Sequence, residues 1–302
     1  TFANQNTNIE LGQALTDDQI ASLDQPIVWY ESQTVDGREV LVPRVYLPTT
    51  DAIEVSAVGQ IVASENVTIQ TNSDVTNTGG IRAEGVVSID AENLLNETLT
   101  TVEVAGTGSG NVLYRTAGPA ASIEGGSVEI NVNSENDSDG NLVNRGAAIR
   151  ATADGGTLDI NTSGDLVNEA LVVEQITDVQ TDELSRFFGQ EDFARRADYV
   201  GATIESAGDI NLISDGTISN IASSIDGDGN VVVDGREGIE QRNLADVYDT
   251  ARGIGYREQA VENQISSISG ANVTLRSSEG DIVSIGSDIS SDGETVLEAI
   301  EG

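Results

Sequence analysis

The fold of this chain is decided by one stretch of alternating residues, Ile81-Arg82-Ala83-Glu84-Gly85-Val86-Val87-Ser88-Ile89-Asp90-Ala91-Glu92-Asn93-Leu94-Leu95-Asn96. It contains a triplet with an apolar residue, any residue and a second apolar residue, then a polar turn, and then an apolar pair followed by Asn. The preceding unit has the triplet Val67-Thr68-Ile69 and closes with Asp74-Val75-Thr76-Asn77. Neighbouring triplets begin 20 residues apart here (67 to 87), and 21 and 22 residues apart further along (210 to 231, 273 to 295). Self-similarity at this period predicts a solenoid, in which each unit is a coil that buries its apolar side against neighbouring coils.

The triplet occurs eight times. The copies are Val67-Thr68-Ile69, Val87-Ser88-Ile89, Val128-Glu129-Ile130, Leu158-Asp159-Ile160, Ile210-Asn211-Leu212, Val231-Val232-Val233, Val273-Thr274-Leu275 and Thr295-Val296-Leu297. Because side chains alternate along a strand, we expect the first and third residues of each triplet to point into the coil and the middle residue to face solvent. The closing segments end in Asn or Ser, which predicts a ladder of stacked amides or hydroxyls along one corner.

The composition agrees with a narrow stacked core. Hydrophobic residues make up 38% of the 302 residues but aromatic residues only 4%, so the interior must be filled by Val, Ile, Leu and Ala. The 32 glycines and 4 prolines suit many tight turns between short strands. The sequence therefore predicts an all-β solenoid with about 20 residues per coil.

Residues 1–56 differ from the rest and are predicted to form a separate N-terminal cap segment. Thr16 is a candidate N-cap for a short helix over residues 15–23. The apolar runs 27–30 and 39–42 flank Asp36-Gly37, a hairpin turn signal. We expect this helix-plus-hairpin element to pack on the first coil, and residues 57–302 to form the coils.

Two excursions, residues 172–200 and 241–264, interrupt the repeat. They concentrate aromatic residues and arginines, including Phe187, Phe188, Arg195 and Arg196. Their composition predicts helical or loop structure. They either patch the surface of the coils or protrude as a surface for recognition or self-association, because aromatic residues and Arg dominate protein interfaces.

Charge and missing residue types restrict the function. There are 51 acidic residues against 14 basic ones, giving a net charge of −37, and every basic residue is Arg. Nucleic acid and anionic membrane surfaces are therefore not expected as partners, whereas weak binding of divalent cations is. The chain has no Cys and no His, which removes disulfides, thiol nucleophiles, His-based triads and ordinary zinc sites. We expect no catalytic residues, no cofactor and no specific metal site.

One acidic pattern resembles a calcium loop. The residues at positions 1, 3, 5, 9 and 12 of that pattern are Asp226, Asp228, Asn230, Asp234 and Glu237. Position 6 of a calcium loop requires Gly, but here it is Val231. In addition, Val231-Val232-Val233 is one of the eight triplets predicted to form coil strands, so it is not expected to form a loop. An acidic turn is the favoured interpretation here, as it is for Glu135, Asp137, Asp139 and Gly140.

The chain lacks an initiator Met, a signal peptide and an 18-residue apolar run. We therefore expect a piece of a longer protein and no membrane-spanning helix.

Residues 13–23 (Gln-Ala-Leu-Thr-Asp-Asp-Gln-Ile-Ala-Ser-Leu), 27–31 (Ile-Val-Trp-Tyr-Glu) and 40–47 (Val-Leu-Val-Pro-Arg-Val-Tyr-Leu) together resemble a known sequence. It is the segment that leads into the second repeat region of large two-partner-secreted exoproteins, the filamentous haemagglutinins and CdiA-type contact-dependent inhibition proteins. The coils, such as Ile204-Glu205-Ser206-Ala207-Gly208-Asp209-Ile210-Asn211-Leu212, are similar to their haemagglutinin repeats. The resemblance covers essentially the whole chain.

The resemblance implies a right-handed parallel β-helix that is extracellular, on the bacterial cell surface. In the CdiA branch, this region would be a stalk or conduit that helps to deliver a C-terminal toxin to a neighbouring cell on contact. Implied partners are the outer-membrane transporter during export and the surface or outer membrane of the target cell. In the haemagglutinin branch, the same coils would serve as an adhesin or matrix fibre. A polysaccharide-cleaving β-helix enzyme with paired carboxylates is the remaining alternative from another functional class.

Overall fold

The computed structural model describes residues 13, 27–35, 38–46, 59–107, 110–134, 140–179, 192–252 and 256–301. The chain divides into two compact units, Thr1–Ala57 and Val58–Gly302. In the first unit, strands β1 (Ile27–Val35) and β2 (Arg38–Tyr46) form the antiparallel hairpin predicted around Asp36-Gly37. The predicted helix at residues 15–23 lies outside the described residues.

The second unit is a stack of coils, and most of the coils contribute three strands. The coil strands are, in chain order, β3 (Gln60–Ala63), β4 (Val67–Gln70), β5 (Val75–Asn77), β6 (Gly80–Ala83), β7 (Val86–Ala91), β8 (Leu94–Glu97), β11 (Ser122–Gly125), β12 (Ser127–Val132), β13 (Leu142–Arg145), β14 (Ala148–Ala151), β15 (Leu158–Thr162), β16 (Leu166–Glu169), β19 (Thr203–Ser206), β20 (Ile210–Ser214), β21 (Thr217–Ile221), β22 (Ser224–Gly227), β23 (Asn230–Gly235), β24 (Gly238–Arg242), β27 (Ser267–Gly270), β28 (Asn272–Ser277), β29 (Ile282–Ile285), β30 (Asp288–Ser291) and β31 (Thr295–Ala299).

The coil strands form three parallel sheets, each with one strand per coil. Sheet 1 has eight strands in the order β3-β6-β11-β14-β19-β22-β27-β30, and sheet 2 has eight in the order β4-β7-β12-β15-β20-β23-β28-β31. Sheet 3 has seven strands, in the order β5-β8-β13-β16-β21-β24-β29. Strands are the only regular secondary structure in the described part of this unit, and its three parallel sheets run along the stack of coils. The predicted parallel β-helix is therefore confirmed.

The eight predicted triplets are the eight strands of sheet 2, in register from coil to coil. The third residues of the triplets pair in one row, for example Ile69 with Ile89 and Ile130 with Ile160. Ile89, Ile130 and Ile160 are fully buried. In the last strand of the row, Leu297 is 56% exposed. The predicted alternation of inward and outward residues is therefore confirmed in the inner strands of sheet 2, and the apolar rows form a single core along the stack, whereas every residue of the last strand is exposed.

A ladder of buried amides runs through sheet 3, as the repeated closing Asn predicted. The side-chain Nδ2 of each of the first four rungs donates to the Oδ1 of the next rung at 2.7–2.9 Å. The rungs are Asn77, Asn96, Asn144, Asn168 and Asn220. Each rung also donates to the carbonyl oxygen of a sheet 1 residue two coils further on, such as Thr203 for Asn144. These bonds satisfy side chains that would otherwise be costly to bury, and they join sheet 3 to sheet 1.

The two excursions are strands, so the prediction of helical or loop structure is wrong for their described residues. The strands are β17 (Leu171–Val179), β18 (Asp192–Val200), β25 (Leu244–Arg252) and β26 (Tyr256–Gln264). A third pair, β9 (Thr100–Thr107) and β10 (Gly110–Ala117), was not predicted. All six form one antiparallel sheet, the hairpin sheet, in the order β26-β25-β18-β17-β10-β9. Pairing between distant hairpins overrides the local, helix-like composition.

Candidate interaction surface

The hairpins leave the stack at every second coil, always directly after a strand of sheet 3. The departure points are β8, β16 and β24. Neighbouring coils are separated by the spacing between paired strands, about 4.8 Å. A hairpin supplies two strands for every two coils, so the hairpin sheet has the same spacing as the stack. Outgoing and returning strands alternate, and for this reason the sheet is antiparallel although the coils are parallel.

In three of the intervening coils the same corner is closed by a tight turn with a positive φ angle. Gly146, Ala222 and Gly286 occupy equivalent positions two residues after a ladder position, and all have positive φ angles, of 54°, 49° and 59°. Ala222 is the only described residue other than Gly with positive φ. A residue in the left-handed conformation makes a tight change of chain direction. At these three corners the chain therefore continues into the next strand of sheet 1 and forms no hairpin.

Buried hydroxyl groups form hydrogen bonds at the bases of the hairpins. Thr98, just before β9, donates to the carbonyl oxygen of Gly146 at 2.6 Å and accepts from the amide of Ala121 at 3.0 Å. Ser266, just after β26, accepts from the amide of Ala222 at 3.2 Å. Thr98 and Ser266 are 1% and 0% exposed. The hairpin sheet is therefore anchored to the coils by hydrogen bonds at the bases of its first and last hairpins.

Interface-type residues are concentrated in the hairpin segments. All seven aromatic residues after residue 57 lie there. They are Tyr114, Phe187, Phe188, Phe193, Tyr199, Tyr248 and Tyr256. Tyr199 lies across the sheet, since its hydroxyl donates to the carbonyl oxygen of Ala245 at 3.0 Å. The coils contain no aromatic residue, so a partner that recognises aromatic side chains in this second unit would have to bind the hairpins.

Arginines of the coils serve a different purpose, because they form ion pairs with glutamates of the coils. Arg145 of β13 lies between Glu97 and Glu169 of the neighbouring coils, with N–O distances of 2.9 and 2.6 Å. Partial burial acts to lower the pKa of Arg145, but hydrogen bonds and charge interactions with Glu169 and Glu97 outweigh it and raise the pKa. Arg82, Arg150, Arg236, Arg242 and Arg276 also form ion pairs, with N–O distances of 2.9–3.9 Å.

The calcium-like pattern is divided between two sheets. Asp226 belongs to β22 of sheet 1, whereas Glu237 follows β23 of sheet 2. Between them, Val231 is fully buried in the core, so the segment runs as a strand and does not wrap around a central point. Asp226 accepts a hydrogen bond from Ser269 at 2.6 Å. Residues 135–139 of the second pattern lie outside the described residues.

Within the described ranges, no group of three or more acidic side chains is arranged to hold a metal ion. Weak binding of divalent cations by the acidic surface stays a prediction. No helix long and apolar enough to cross a membrane occurs in the part of the chain that the structure describes.

Comparison with known proteins confirms the predicted resemblance to CdiA proteins over a stretch of about 90 residues, whereas its extension over essentially the whole chain stays a prediction. The chain is 34% identical over 88 residues to the 16S rRNA endonuclease CdiA of Enterobacter cloacae, and 39% identical over 88 residues to a tRNA nuclease CdiA of Escherichia coli. It is also 33% identical over 95 residues to the adenylyltransferase and cysteine protease IbpA of Histophilus somni. These stretches cover 29–30% of this chain but only 2–3% of each relative. No family model and no solved structure matches the chain.

Proposed function

We propose, from this similarity, that the chain is a β-helical segment of a large secreted bacterial exoprotein of the CdiA type. It would act as the stalk or conduit for contact-dependent delivery of a C-terminal toxin to a neighbouring cell. Its working parts would be the rigid coil stack and the hairpin sheet. The protein would lie outside the cell, on the bacterial surface.

One observation carries this proposal. Stretches of about 90 residues that resemble this chain occur in proteins named for different activities: 16S rRNA endonuclease, tRNA nuclease, deoxyribonuclease, and adenylyltransferase with cysteine protease. Similarity of this chain to proteins with different activities is best explained by a task that those proteins share. Presentation or delivery of the active part is such a task, and an elongated coil stack suits it because stacked coils give length and stiffness.

The proposal includes partners and a non-catalytic role. During export, the chain would pass through the outer-membrane transporter of a two-partner system, and it would then meet the surface or outer membrane of a target cell. The segment itself would not be an enzyme. The buried rows of the coils and the ion-paired arginines support this role, since they serve packing and charge balance.

An adhesin or extracellular matrix fibre with the same fold is the second candidate. The anchored hairpin sheet with its aromatic residues supports this candidate too, because aromatic residues dominate binding surfaces. The two candidates differ in what happens to the cell that is touched. Delivery inhibits its growth, whereas adhesion alone leaves growth unchanged.

A competition experiment distinguishes them. Cells that produce the native full-length protein are mixed with susceptible target cells, and the surviving targets are counted. The Ile89→Asp variant, which disrupts the core, should lose inhibition, whereas the Thr68→Asp variant, on the outer face of sheet 2, should retain it. Surface amounts of both variants are measured by immunoblotting. Binding to targets without any inhibition by the native protein would favour the adhesin and overturn the delivery role.

A further inference from the structure

The amide ladder ends at the corner where the coil of β19–β21 leads into the coil of β22–β24. Asn168 donates to Asn220 at 2.9 Å, and the next position of the row is Gln241. The side chain of Gln241 is 1% exposed, yet its Oε1 has no hydrogen-bond partner among the described residues. A buried acceptor without a donor disfavours the folded form of the segment that contains it, because the same oxygen would bind water once that segment opened.

Backbone strain lies at the same corner. Ala222 has a φ of 49°, in the left-handed region, whereas the equivalent residues Gly146 and Gly286 carry no Cβ. The Cβ of alanine makes this conformation unfavourable. The strained residue lies beside the end of the ladder, since the amide of Ala222 donates to the carbonyl oxygen of Arg242, the residue after Gln241, at 2.9 Å. Two unfavourable features therefore coincide at one corner, the Ala222 corner.

A shared proton adds a third unfavourable feature. The buried hydroxyl of Ser266 lies within hydrogen-bond distance of the carbonyl oxygens of Asn220, at 3.0 Å, and of Arg242. A hydroxyl group has one proton, so it can donate to only one of these two oxygens at a time. The contacts at this corner are therefore not all satisfied together.

The coils after the Ala222 corner are, by contrast, joined to one another by side-chain bonds. Each bond links a coil to the next, and together they connect the strands from β22 to β31. The pairs are Ser269 with Asp226 (2.6 Å), Asn272 with Asn230 (2.9 Å), Arg236 with Glu279 (2.9 Å) and Arg276 with Glu298 (3.1 Å). Each is exposed and weak by itself, but such links favour coils that separate as a group.

We propose that the Ala222 corner is a built-in opening point of the coil stack. At this point residues 224–299 separate from the earlier coils and unfold as one unit, while β3–β21 stay folded. Opening breaks the pairing of β21 with β24 and the bond from Asn220 to the carbonyl oxygen of Ser267. In return it releases the strained φ of Ala222 and lets water reach the Oε1 of Gln241, and the least stable segments of a protein open first. The proposal depends on the coils alone and is independent of the delivery role.

Native-state hydrogen exchange of the full chain, followed by mass spectrometry at a series of low urea concentrations, tests the proposal. Peptides from β23, β24 and β28 should exchange with one common urea dependence, and they should exchange before peptides from β12 and β15. The boundary should be sharp and should lie close to Ala222. Exchange that becomes gradually faster towards Ala299, with no common urea dependence, is fraying of the end and would overturn the proposal.

A first pair of variants tests the missing rung. Gln241→Asn should slow the exchange of all of residues 224–299 by about fivefold, because the shorter amide can accept from Asn220. Gln70→Asn, the same change at an exposed position of β4, should leave that exchange unchanged. Circular dichroism shows whether both variants are folded. A folded Gln241→Asn chain whose exchange is unchanged, or is slowed equally in β12, would contradict the proposal.

A second pair tests the strain. Ala222→Gly should slow the exchange of residues 224–299 by about twofold to fivefold, because glycine adopts a positive φ without penalty. Ala271→Gly, the same change within that segment at a residue whose φ is not positive, should not slow it. Slower exchange in both variants, or in neither, would show that the Ala222 corner does not control opening.

Discussion

The side-chain amide of Asn144 donates a hydrogen bond to the side-chain oxygen of Asn168 at 2.8 Å, and the same bond in the same direction joins rung to rung through five coils. Because all of the amides point the same way, each bond polarises the next. Asn144, Asn96 and Asn168 are 0% exposed. The ladder therefore fixes the register of sheet 3, since a coil displaced by one residue would leave buried amides without partners.

Removing one rung should destabilise the stack. Asn144→Ala is expected to lower the free energy of unfolding by about 2–3 kcal/mol, because the oxygen of Asn168 loses its donor and Asn96 loses its acceptor. Asn133→Ala, at an exposed position, should change it by less than about 0.5 kcal/mol. Urea unfolding followed by circular dichroism measures both values. Similar losses for the two variants would show that the ladder contributes little.

Adding a rung should stabilise the stack. Gln241 follows Asn220 in the ladder row, but its Oε1 is buried without a hydrogen-bond partner among the described residues. Its Nε2 donates to the carbonyl oxygen of Asp288 at 2.9 Å, just as the Asn rungs donate to sheet 1. Gln241→Asn should let the residue accept from Asn220 while keeping that donor bond, and should raise the free energy of unfolding by about 1 kcal/mol. A lower melting temperature for this variant would contradict the prediction.

The core register predicts a large contrast between two aspartate substitutions in sheet 2. Ile89→Asp places a charge at a fully buried position and should cost several kcal/mol, roughly 3 or more. Thr68→Asp is on the exposed side of β4 and should be nearly silent. Thermal melting of the two purified variants compares them directly. Equal melting temperatures would mean that the inward and outward positions are wrongly assigned.

The ion pairs of Arg145 should matter much less. The Arg145 side chain is 38% exposed, so water weakens its bonds to Glu97 and Glu169. Arg145→Gln should cost no more than about 1 kcal/mol, and the loss should shrink as salt is added. Urea unfolding at low and high NaCl concentrations tests this. A larger loss that is independent of salt would show that packing of the arginine stem, and not its charge, is what stabilises this corner.

Local pattern was sufficient to predict the coils. The triplets such as Val128-Glu129-Ile130 became sheet 2, and the closing Asn residues became the ladder, because both follow from alternation along a strand and from stacking at a fixed period. The sequence does not predict the strands of sheet 1, such as Gly80–Ala83, as distinct elements of the repeat unit. They are only four residues long, and two of the four point outward or lie at a corner, so their apolar signal is weak.

The hairpin sheet could not be predicted in the same way. Leu113 pairs with Ile176, which is 63 positions later in the chain, so no local pattern contains the information. Segments such as Asp192–Val200, with Ala and Arg in the middle, have a composition that favours a helix in isolation. They become strands because the spacing of the coils places the hairpins side by side. The aromatic residues and arginines of the excursions do lie in the segments of this separate sheet, and its role as a recognition or self-association surface stays a prediction.

Peptide mapping by mass spectrometry of the native polypeptide on producing cells tests the proposed delivery role most directly. We expect peptides that extend far beyond both ends of this sequence, with a C-terminal segment of different composition that would be the delivered toxin. A native polypeptide that stops near Gly302 would have nothing to deliver. That result would contradict the delivery role and leave a structural or adhesive fibre as the better explanation.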